Sequence, residues 1–161
     1  MIIGQCITAW QGSVWVGNTL ENAVAKKNRV RWSHPGHAQD WRTNDYIDVD
    51  PGVEGDYITA LVPMGERLYV FKNNSLHVIT GYSPGNFQVL TISHTVGAVS
   101  QEAVCASEDT IYFFNWPYGA YQYTPGQAEP EWIFERLYPA ITQGTILSTY
   151  LANIRAGWIN K

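Results

Sequence analysis

The sequence predicts an all-β protein built from about three four-stranded antiparallel sheets, arranged like the blades of a β-propeller. Three observations predict this fold: the amino-acid composition, a recurring period in the sequence and a hairpin that is apolar on both faces. Aromatic residues make up 14% of the 161 residues and charged residues only 15%, which favours strands with much aromatic contact surface. Second strands of successive units begin at Val14, Leu68, Ile111 and Trp158, which are 54, 43 and 47 residues apart. Periods of about 40 to 50 residues are typical of propeller blades.

The hairpin at the centre of the sequence is apolar on both faces. Residues 68–72 and 76–80 flank a predicted two-residue turn, Asn73 and Asn74, in which Asn would adopt positive φ. The alternation directs Leu68, Val70, Leu76 and Val78 to one face, and Tyr69, Phe71, His77 and Ile79 to the other. A sheet with one wet face would show a polar side, so this hairpin is expected between two other sheets. The alternative is a single β-sandwich with strands at similar spacing.

The first unit has predicted strands at residues 7–10, 14–17, 29–33 and 46–50, and residues 7–9 match residues 58–60. Its third strand is delayed by an insertion, residues 18–28. Because that insertion is long for a hairpin loop, we expect it to project from the blade and to include a turn of helix.

The second unit opens near residue 58 and ends with a strand at residues 87–92. The third unit has predicted strands at residues 103–106, 110–114, 120–123 and 132–136. We therefore expect one propeller-like region over residues 1–161, with blades at about 6–50, 56–93 and 103–137 and the start of another at 149–161. Because roughly four to eight blades close a propeller, we expect a longer protein or other chains to complete the ring, and favour the longer protein.

Composition also excludes several classes of protein. A net charge of −4 argues against a nucleic-acid binder, which would carry a basic face. No stretch approaches the roughly 20 apolar residues of a membrane helix, and the first residues lack the features of a signal peptide. Cys6 and Cys105 are too few for a disulfide framework, so we expect both to be reduced and buried, as fits assembly in a cytoplasm.

Several motifs occur in an order that resembles structural proteins of tailed bacteriophages. A strand ending in Trp32 and Ser33 is followed by a Pro/Gly loop and the pair Asp40 and Trp41. Next come Gly-Asp-Tyr-Ile-Thr-Ala-Leu at residues 55–61, Leu-Tyr-Val-Phe-Lys at 68–72 and Thr-Val-Gly at 95–97. The resemblance covers about residues 9–123 and is to the β-propeller part of a tail protein of the nozzle, tail-tube or minor-tail kind.

The resemblance implies a structural component of the virion tail, assembled in the host cytoplasm, without enzymatic activity, cofactor or metal. Its expected partners are further copies of the chain and other tail proteins, with no membrane and no sequence-specific nucleic acid. Loops at both rims of the propeller would make these contacts, and residues 18–28, 33–41 and 50–56 are candidates. The individual candidate interface residues are Leu20, His34, His37, Trp41, Glu54, Trp116 and Tyr118.

Metal binding is a weaker interpretation of two segments. Five acidic residues could gather oxygen ligands for Ca²⁺, but they lack the EF-hand spacing, so a solvated loop is expected. These are Asp45, Asp48, Asp50, Glu54 and Asp56. His34 and His37 could begin a zinc site, but no Cys or further His stands near them in the sequence.

The competing functional class is a carbohydrate-binding or hydrolytic propeller that acts on host surface glycans. The sequence has no Gly-x-Ser-x-Gly elbow, no Gly-rich phosphate loop and no sialidase-type turn, although carboxylates from different blades could still pair. Trp116, Tyr118, Tyr121 and Tyr123 could offer flat faces to sugar rings. The more conservative interpretation places these rings in the space between blades or in a protein interface.

Overall fold

The computed structural model of the protein describes residues 2–135 and 154–157, and within them the chain is all-β. The strands are β1 (Ile2–Trp10), β2 (Ser13–Glu21), β3 (Val24–Trp32), β4 (Tyr46–Asp48), β5 (Ile58–Met64), β6 (Arg67–Lys72), β7 (Leu76–Thr80), β8 (Gln88–Ser93), β9 (Val104–Ala106), β10 (Ile111–Asn115), β11 (Gly119–Tyr123) and β12 (Glu131–Trp132). They form a first sheet (β1–β4), a middle sheet (β5–β8) and a third sheet (β9–β12), each antiparallel and in chain order. The predicted four-stranded antiparallel blades are confirmed.

The middle sheet lies between the other two sheets. Strand β5 contacts both β1 and β9, so the first strands of the three sheets are neighbours. On one side Trp15 of the first sheet packs against Phe87, with ring centroids 5.3 Å apart. On the other side Phe71 packs against Phe113 of the third sheet at 4.9 Å. The hairpin β6–β7 is apolar on both faces because each face forms part of a different core.

The strand registers show that the three sheets repeat one arrangement. Equivalent rows of paired residues are Ile7–Val16–Arg31–Tyr46 in the first sheet, Leu61–Val70–His77–Thr91 in the middle sheet and Val104–Phe113–Tyr121–Trp132 in the third. The face that carries these rows is called the backward face, because in the middle and third sheets it points to the preceding sheet. The opposite, forward face carries Trp15, Tyr69 and Tyr112. Among the described residues, the forward faces of the first and middle sheets therefore each meet the backward face of the next sheet.

The prediction of which residues share a face of the central hairpin is wrong for its second strand. Its two-residue turn pairs Phe71 with Leu76 and Val70 with His77. Cross-strand partners share a face, so Leu76 and Val78 lie with Tyr69 and Phe71, whereas His77 and Ile79 lie with Leu68 and Val70. The predicted positive φ in the turn is also wrong, since neither Asn73 nor Asn74 has it.

Residues 18–28 form no turn of helix, which corrects the prediction for this insertion. They belong to β2, β3 and the tight turn of Asn22 and Ala23, whose φ angles of 48° and 66° suit a two-residue hairpin. The segment does project, because β2 continues past Asn18, the position at which the equivalent strand β6 ends. At 3.3 Å per residue, the three further residues of β2 extend the hairpin by roughly 10 Å.

Strand boundaries elsewhere agree with the predictions to within two residues, with three exceptions. Strand β1 begins at Ile2, five residues before the predicted start at residue 7. The match of residues 7–9 with residues 58–60 is displaced, because the registers place Ile7 level with Leu61. Strand β12 covers only Glu131–Trp132 of the predicted 132–136, and residue 136 lies outside the described residues. The predicted opening of a fourth unit at 149–161 also lies outside them, except for residues 154–157. There the backbone N–H of Ala156 donates to the carbonyl of Glu102 at 2.7 Å.

Candidate functional site

The predicted interface residues separate into two groups at opposite rims of the sheets. The upper rim carries the turn between the first and second strands of each sheet and the loop between its third and fourth strands. The lower rim carries the turn between the second and third strands and the crossings from sheet to sheet. The residues at the upper rim are His34, His37 and Trp41, and those at the lower rim are Leu20, Glu54, Trp116 and Tyr118.

At the upper rim, His34 and His37 stack on each other with ring centroids 5.6 Å apart. The backbone N–H of His37 donates to the carbonyl of His34 at 2.9 Å, which closes the Pro/Gly turn. Across the described residues, no group of three or more His, Cys, Asp or Glu side chains could hold a metal ion. Here the two histidines shape a loop, with His37 exposed and His34 and Trp41 half-buried.

At the lower rim, the predicted residues are mostly exposed. Tyr118 is 48% exposed, and its carbonyl accepts a hydrogen bond from the indole N–H of Trp132 at 2.7 Å. Leu20 is 40% exposed near the tip of the projecting hairpin, where it pairs with Ile3, which is 51% exposed. Glu54 is exposed in the crossing to the middle sheet. These residues offer a contact surface but no shared pocket.

A buried polar network lies at the lower rim beneath these exposed residues. The ammonium of Lys72 is 3.3 Å from Oδ2 of Asp56, and both side chains are at most 3% exposed. Lys72 also donates to the backbone carbonyl of Asp50 at 2.8 Å. The hydroxyl of Ser75 donates to Asp56 Oδ2 at 2.6 Å, and the backbone N–H of Asn74 donates to Oδ1 at 2.8 Å. The Asp56 carboxylate therefore holds both the central turn and the Lys72 side chain.

His77 extends this network into the middle sheet. Its Nε2 is 2.8 Å from the hydroxyl of Ser75, and its Nδ1 is 3.1 Å from that of Thr91. Because the Ser75 proton goes to the Asp56 carboxylate, which only accepts, His77 Nε2 must carry the proton it donates to Ser75. Burial, together with the positive charge of Lys72, lowers the pKa of His77 below its ordinary value.

The Ser75–His77 pair has the separation of a nucleophile and its general base, but not the access. Ser75 is 2% exposed and His77 is fully buried, so a substrate in solvent does not reach the hydroxyl. The hydroxyl proton is also directed to Asp56 and away from the imidazole. The role of this network is structural: its hydrogen bonds satisfy the buried charges and fix the lower end of the middle sheet.

The sequence analysis missed a buried polar residue that occupies the same position in the second strand of each of the three described sheets, and that ends this strand in the middle and third sheets. These equivalent residues are Asn18, Lys72 and Asn115, each at most 7% exposed. Asn18 donates to the carbonyl of Ile58 in the middle sheet at 3.0 Å. Asn115 donates to the carbonyls of Asn73 and Gly97 at 3.3 and 3.1 Å. Lining up the three second strands places these residues in register, so the signal was present in the sequence.

The acidic segment does not form a cation site. Asp48 makes a bidentate contact with the Arg29 guanidinium, with both N···O distances at 2.8 Å. Asp56 is 4% exposed and paired with Lys72, so the expectation of a solvated loop is wrong for this residue. Glu54 stays exposed. The acids are therefore divided among separate partners.

The backward face of the first sheet carries a charged cavity of about 430 Å³. The Arg29 guanidinium lies 3.7 Å from the ring centroid of Tyr46, and Arg31 donates to Glu21 at 3.0 Å. Burial would raise the pKa of Glu21, but the Thr19 hydroxyl and the two arginines outweigh it and lower that pKa. Trp41 completes one wall. The cavity therefore presents a neutralised set of charges beside two aromatic rings.

Two of the four candidate sugar-binding aromatics are core residues. Tyr121 is 9% exposed and stacks on Phe113 at 5.7 Å, and Tyr123 is 4% exposed and packs edge-on against Tyr69 at 5.9 Å. Trp116 is half-buried, and Tyr118 is the exposed member of the group.

The cysteines are both free, as expected, but only Cys6 is fully buried, since Cys105 is half-buried.

Comparisons with known proteins leave the family open. No helix in the described part of the chain is long and apolar enough to span a membrane. No protein-family model and no characterised protein matches the sequence.

Proposed function

We propose that this protein is a structural component of a bacteriophage tail, a stacked-sheet scaffold that contacts neighbouring copies and other tail proteins. One observation carries the proposal: three of the segments that resemble tail proteins meet at one place. They contribute Asp56, Lys72 and Gly97 to the junction of the middle sheet with its neighbours. A Cβ at position 97 would lie 2.0 Å from the Lys72 carbonyl oxygen, so the junction needs glycine there.

The geometry supports a scaffold in a second way. The Lys72 carbonyl accepts the N–H of Ala98 at 2.9 Å, and the Thr59 hydroxyl donates to the Ala98 carbonyl at 2.8 Å. The Gln101 side chain both accepts from and donates to the backbone of Leu61, at 2.8 and 3.0 Å. Polar side chains at these junctions are thus used to join strands and crossings. A rigid stack with loops at both rims can serve as a geometric platform for other subunits.

The proposal is tested by locating the chain in purified virions. Virions would be disrupted, heads and tails separated, and each fraction analysed by quantitative mass spectrometry. A scaffold role predicts the chain in the tail fraction at a fixed ratio to the other tail proteins. Its absence from particles, with the chain found only in the infected-cell lysate, would overturn the proposal.

A glycan-binding role is the second candidate, favoured by the 48% exposure of Tyr118 beside Trp116. Binding to host surface glycans that is lost in Trp116→Ala and Tyr118→Ala would support it. Tyr82→Ala is the matched control, because Tyr82 is an 83% exposed tyrosine at the upper rim. Glycan binding that is unaffected by all three substitutions, or undetectable, leaves the scaffold as the better account.

A further inference from the structure

A cavity of about 500 Å³ lies at the upper rim, between the middle and third sheets. Its wall is formed by the turn between β5 and β6, the turn between β9 and β10, and the loop that follows β11. This volume falls within the roughly 300–1,000 Å³ of small-molecule sites. None of the predicted interface residues lines the cavity, so the scaffold function does not account for it.

Four charged side chains line the cavity, and together they carry an excess of negative charge. They are Glu66, Arg67, Glu108 and Asp109. All four are exposed, and none forms an ion pair within the described part of the chain. Asp109 accepts a hydrogen bond from the Thr110 hydroxyl at 3.1 Å. Among the described residues, the three carboxylates form no group that could hold a metal ion, so they suit a larger ligand with several polar groups.

The hydroxyl of Tyr69 is the second feature of this cavity. Tyr69 belongs to the wall and is fully buried, and its hydroxyl has no hydrogen-bond partner among the residues that the structure describes. The equivalent residue of the first sheet is Trp15, whose indole N–H donates to the carbonyl of Trp10 at 3.0 Å. A buried polar group without a partner costs free energy, and packing needs only the ring. The hydroxyl therefore fits a partner that the chain itself does not supply.

The positive charge of Arg67 acts close to Tyr69. The rings of Tyr69 and Tyr123 meet edge-on, with centroids 5.9 Å apart. Burial and Tyr69 raise the pKa of Tyr123, and a hydrogen bond from the backbone of Gly126 and the charge of Arg67 act against that rise. A guanidinium and a phenol hydroxyl are both donors, so together they suit a ligand carboxylate. The carboxylates of the wall only accept, so they suit ammonium groups.

We propose that this cavity binds a small molecule that carries one carboxylate and ammonium groups, as a basic α-amino acid does. Arg67 and the Tyr69 hydroxyl donate to its carboxylate, and Glu66, Glu108 and Asp109 accept from its ammonium groups. Because Tyr69 is buried, the exposed side chains at the rim move aside when the ligand enters, and this movement breaks no ion pair. The inference goes beyond the scaffold function and does not rest on it.

A neutral sugar fits the cavity less well for two reasons. It would leave the charges of both signs without counter-charges. Tyr69 is also the one aromatic residue of the described wall, and it is fully buried, so no exposed ring face is available for stacking on a sugar.

The first test measures binding of L-lysine to the purified chain by isothermal titration calorimetry, with matched analogues as probes. Cadaverine lacks only the carboxylate of lysine, and ε-aminocaproate lacks only its α-ammonium group. Each should bind at least about tenfold more weakly than L-lysine, because each loses a charged hydrogen-bonding group. L-glutamate should bind more weakly than L-lysine as well, since it adds a negative charge beside the carboxylates. Equal affinities for L-lysine, cadaverine and glucose, or no binding of L-lysine, would overturn the inference.

Variants of the charged residues assign each group to its partner. Arg67→Gln should weaken binding of L-lysine at least about tenfold and leave binding of cadaverine undiminished, since cadaverine has no carboxylate for Arg67 to bind. Glu108→Gln should weaken binding of both. Arg42→Gln is the matched control, because Arg42 is an exposed arginine of the upper rim that lies outside the cavity. Equal effects of Arg67→Gln on L-lysine and on cadaverine would contradict the assigned role of Arg67.

The last test separates a ligand-binding hydroxyl from a structural one. Tyr69→Phe should weaken binding of L-lysine about tenfold, while the urea midpoint of the unliganded chain stays the same or rises, because the variant removes a buried group without a partner. Tyr123→Phe is the matched control, and it should lower the midpoint because its hydroxyl is hydrogen-bonded to the backbone of Gly126. A lower midpoint in Tyr69→Phe, or unchanged binding, would overturn the inference.

These measurements use the purified chain, so they are independent of the tail assignment. A chain that binds L-lysine in this way but is absent from virion tails would refute the tail assignment alone. A chain that occurs in tails but does not bind L-lysine would refute this inference alone.

Discussion

The ion pair of Lys72 and Asp56 is expected to stabilise the fold only as a pair. In Lys72→Met, the Asp56 carboxylate stays buried with two hydrogen bonds, from Ser75 and from the backbone of Asn74, but without its counter-charge. Removing one partner of a buried pair costs about 3–5 kcal/mol. Asp56→Asn should cost about 3 kcal/mol, because the Lys72 ammonium would keep only the Asp50 carbonyl as a strong partner. Either loss is large beside a total stability of about 5–15 kcal/mol.

The double variant, Lys72→Met with Asp56→Asn, gives the decisive quantity, the coupling free energy between the two positions. With both charges gone, the amide introduced at position 56 can still accept from the turn, so the double variant should lose only about 1–2 kcal/mol. The two positions would then be coupled by about 4 kcal/mol or more in a double-mutant cycle. Urea unfolding followed by tryptophan fluorescence measures all four proteins, with Lys27→Met as an exposed-lysine control that should change stability by less than about 0.5 kcal/mol. Additive losses would refute the claim that these charges are buried together.

Three further predictions concern single residues. The folded-state pKa of His77 is lowered from 6.5, so its contribution to stability is complete above that pH and is lost as the pH falls below it. The free energy of unfolding, measured with urea, should therefore fall more between about pH 7 and pH 5.5 in the unaltered chain than in His77→Gln. An equal dependence of that free energy on pH in the two proteins would disprove this. Maleimide should label Cys105 but not Cys6 in the folded chain, and fast labelling of two thiols would contradict the burial of Cys6. Ala23→Gly should raise the free energy of unfolding by about 0.5–1 kcal/mol, since Ala23 has a φ of 66° that glycine adopts without strain; a loss of stability would count against the turn.

The stacking of three sheets was predictable because alternation reports which faces are apolar. Residues 68–80 are apolar on both faces whatever their partners, and that pattern required a sheet on each side. The assignment of residues to those faces went wrong although the signal was present. Across a two-residue turn Phe71 must oppose Leu76, which places an odd-numbered residue beside an even-numbered one.

The projecting hairpin shows where local patterns become ambiguous. Residues 20–27 contain Ala and Lys, which favour helices, and their alternation is weak. The turn at Asn22 and Ala23 lacks the usual glycine, so its positive φ angles could not be inferred from residue type. The pairing of β2 with β1, which extends from Ser13 to Glu21, decides that residues 20–27 form a hairpin, and this pairing is a tertiary effect.

The buried network was the hardest feature to predict. Lys72 at the end of a strand usually reaches solvent, and its burial here depends on Asp50 and Asp56 in the crossing loop before β5. Sequence distance hides such a contact. The one available signal was the repeat itself, since Asn18 and Asn115 occupy the same position in the other two sheets and also donate to backbone carbonyls.

Electron microscopy of intact virion tails at side-chain resolution tests the central claim most directly. The scaffold account predicts the three sheets at a symmetric position in the tail, in contact with neighbouring copies or other tail proteins. Tails whose density contains no such stack of sheets, or in which this chain is absent, would contradict the account.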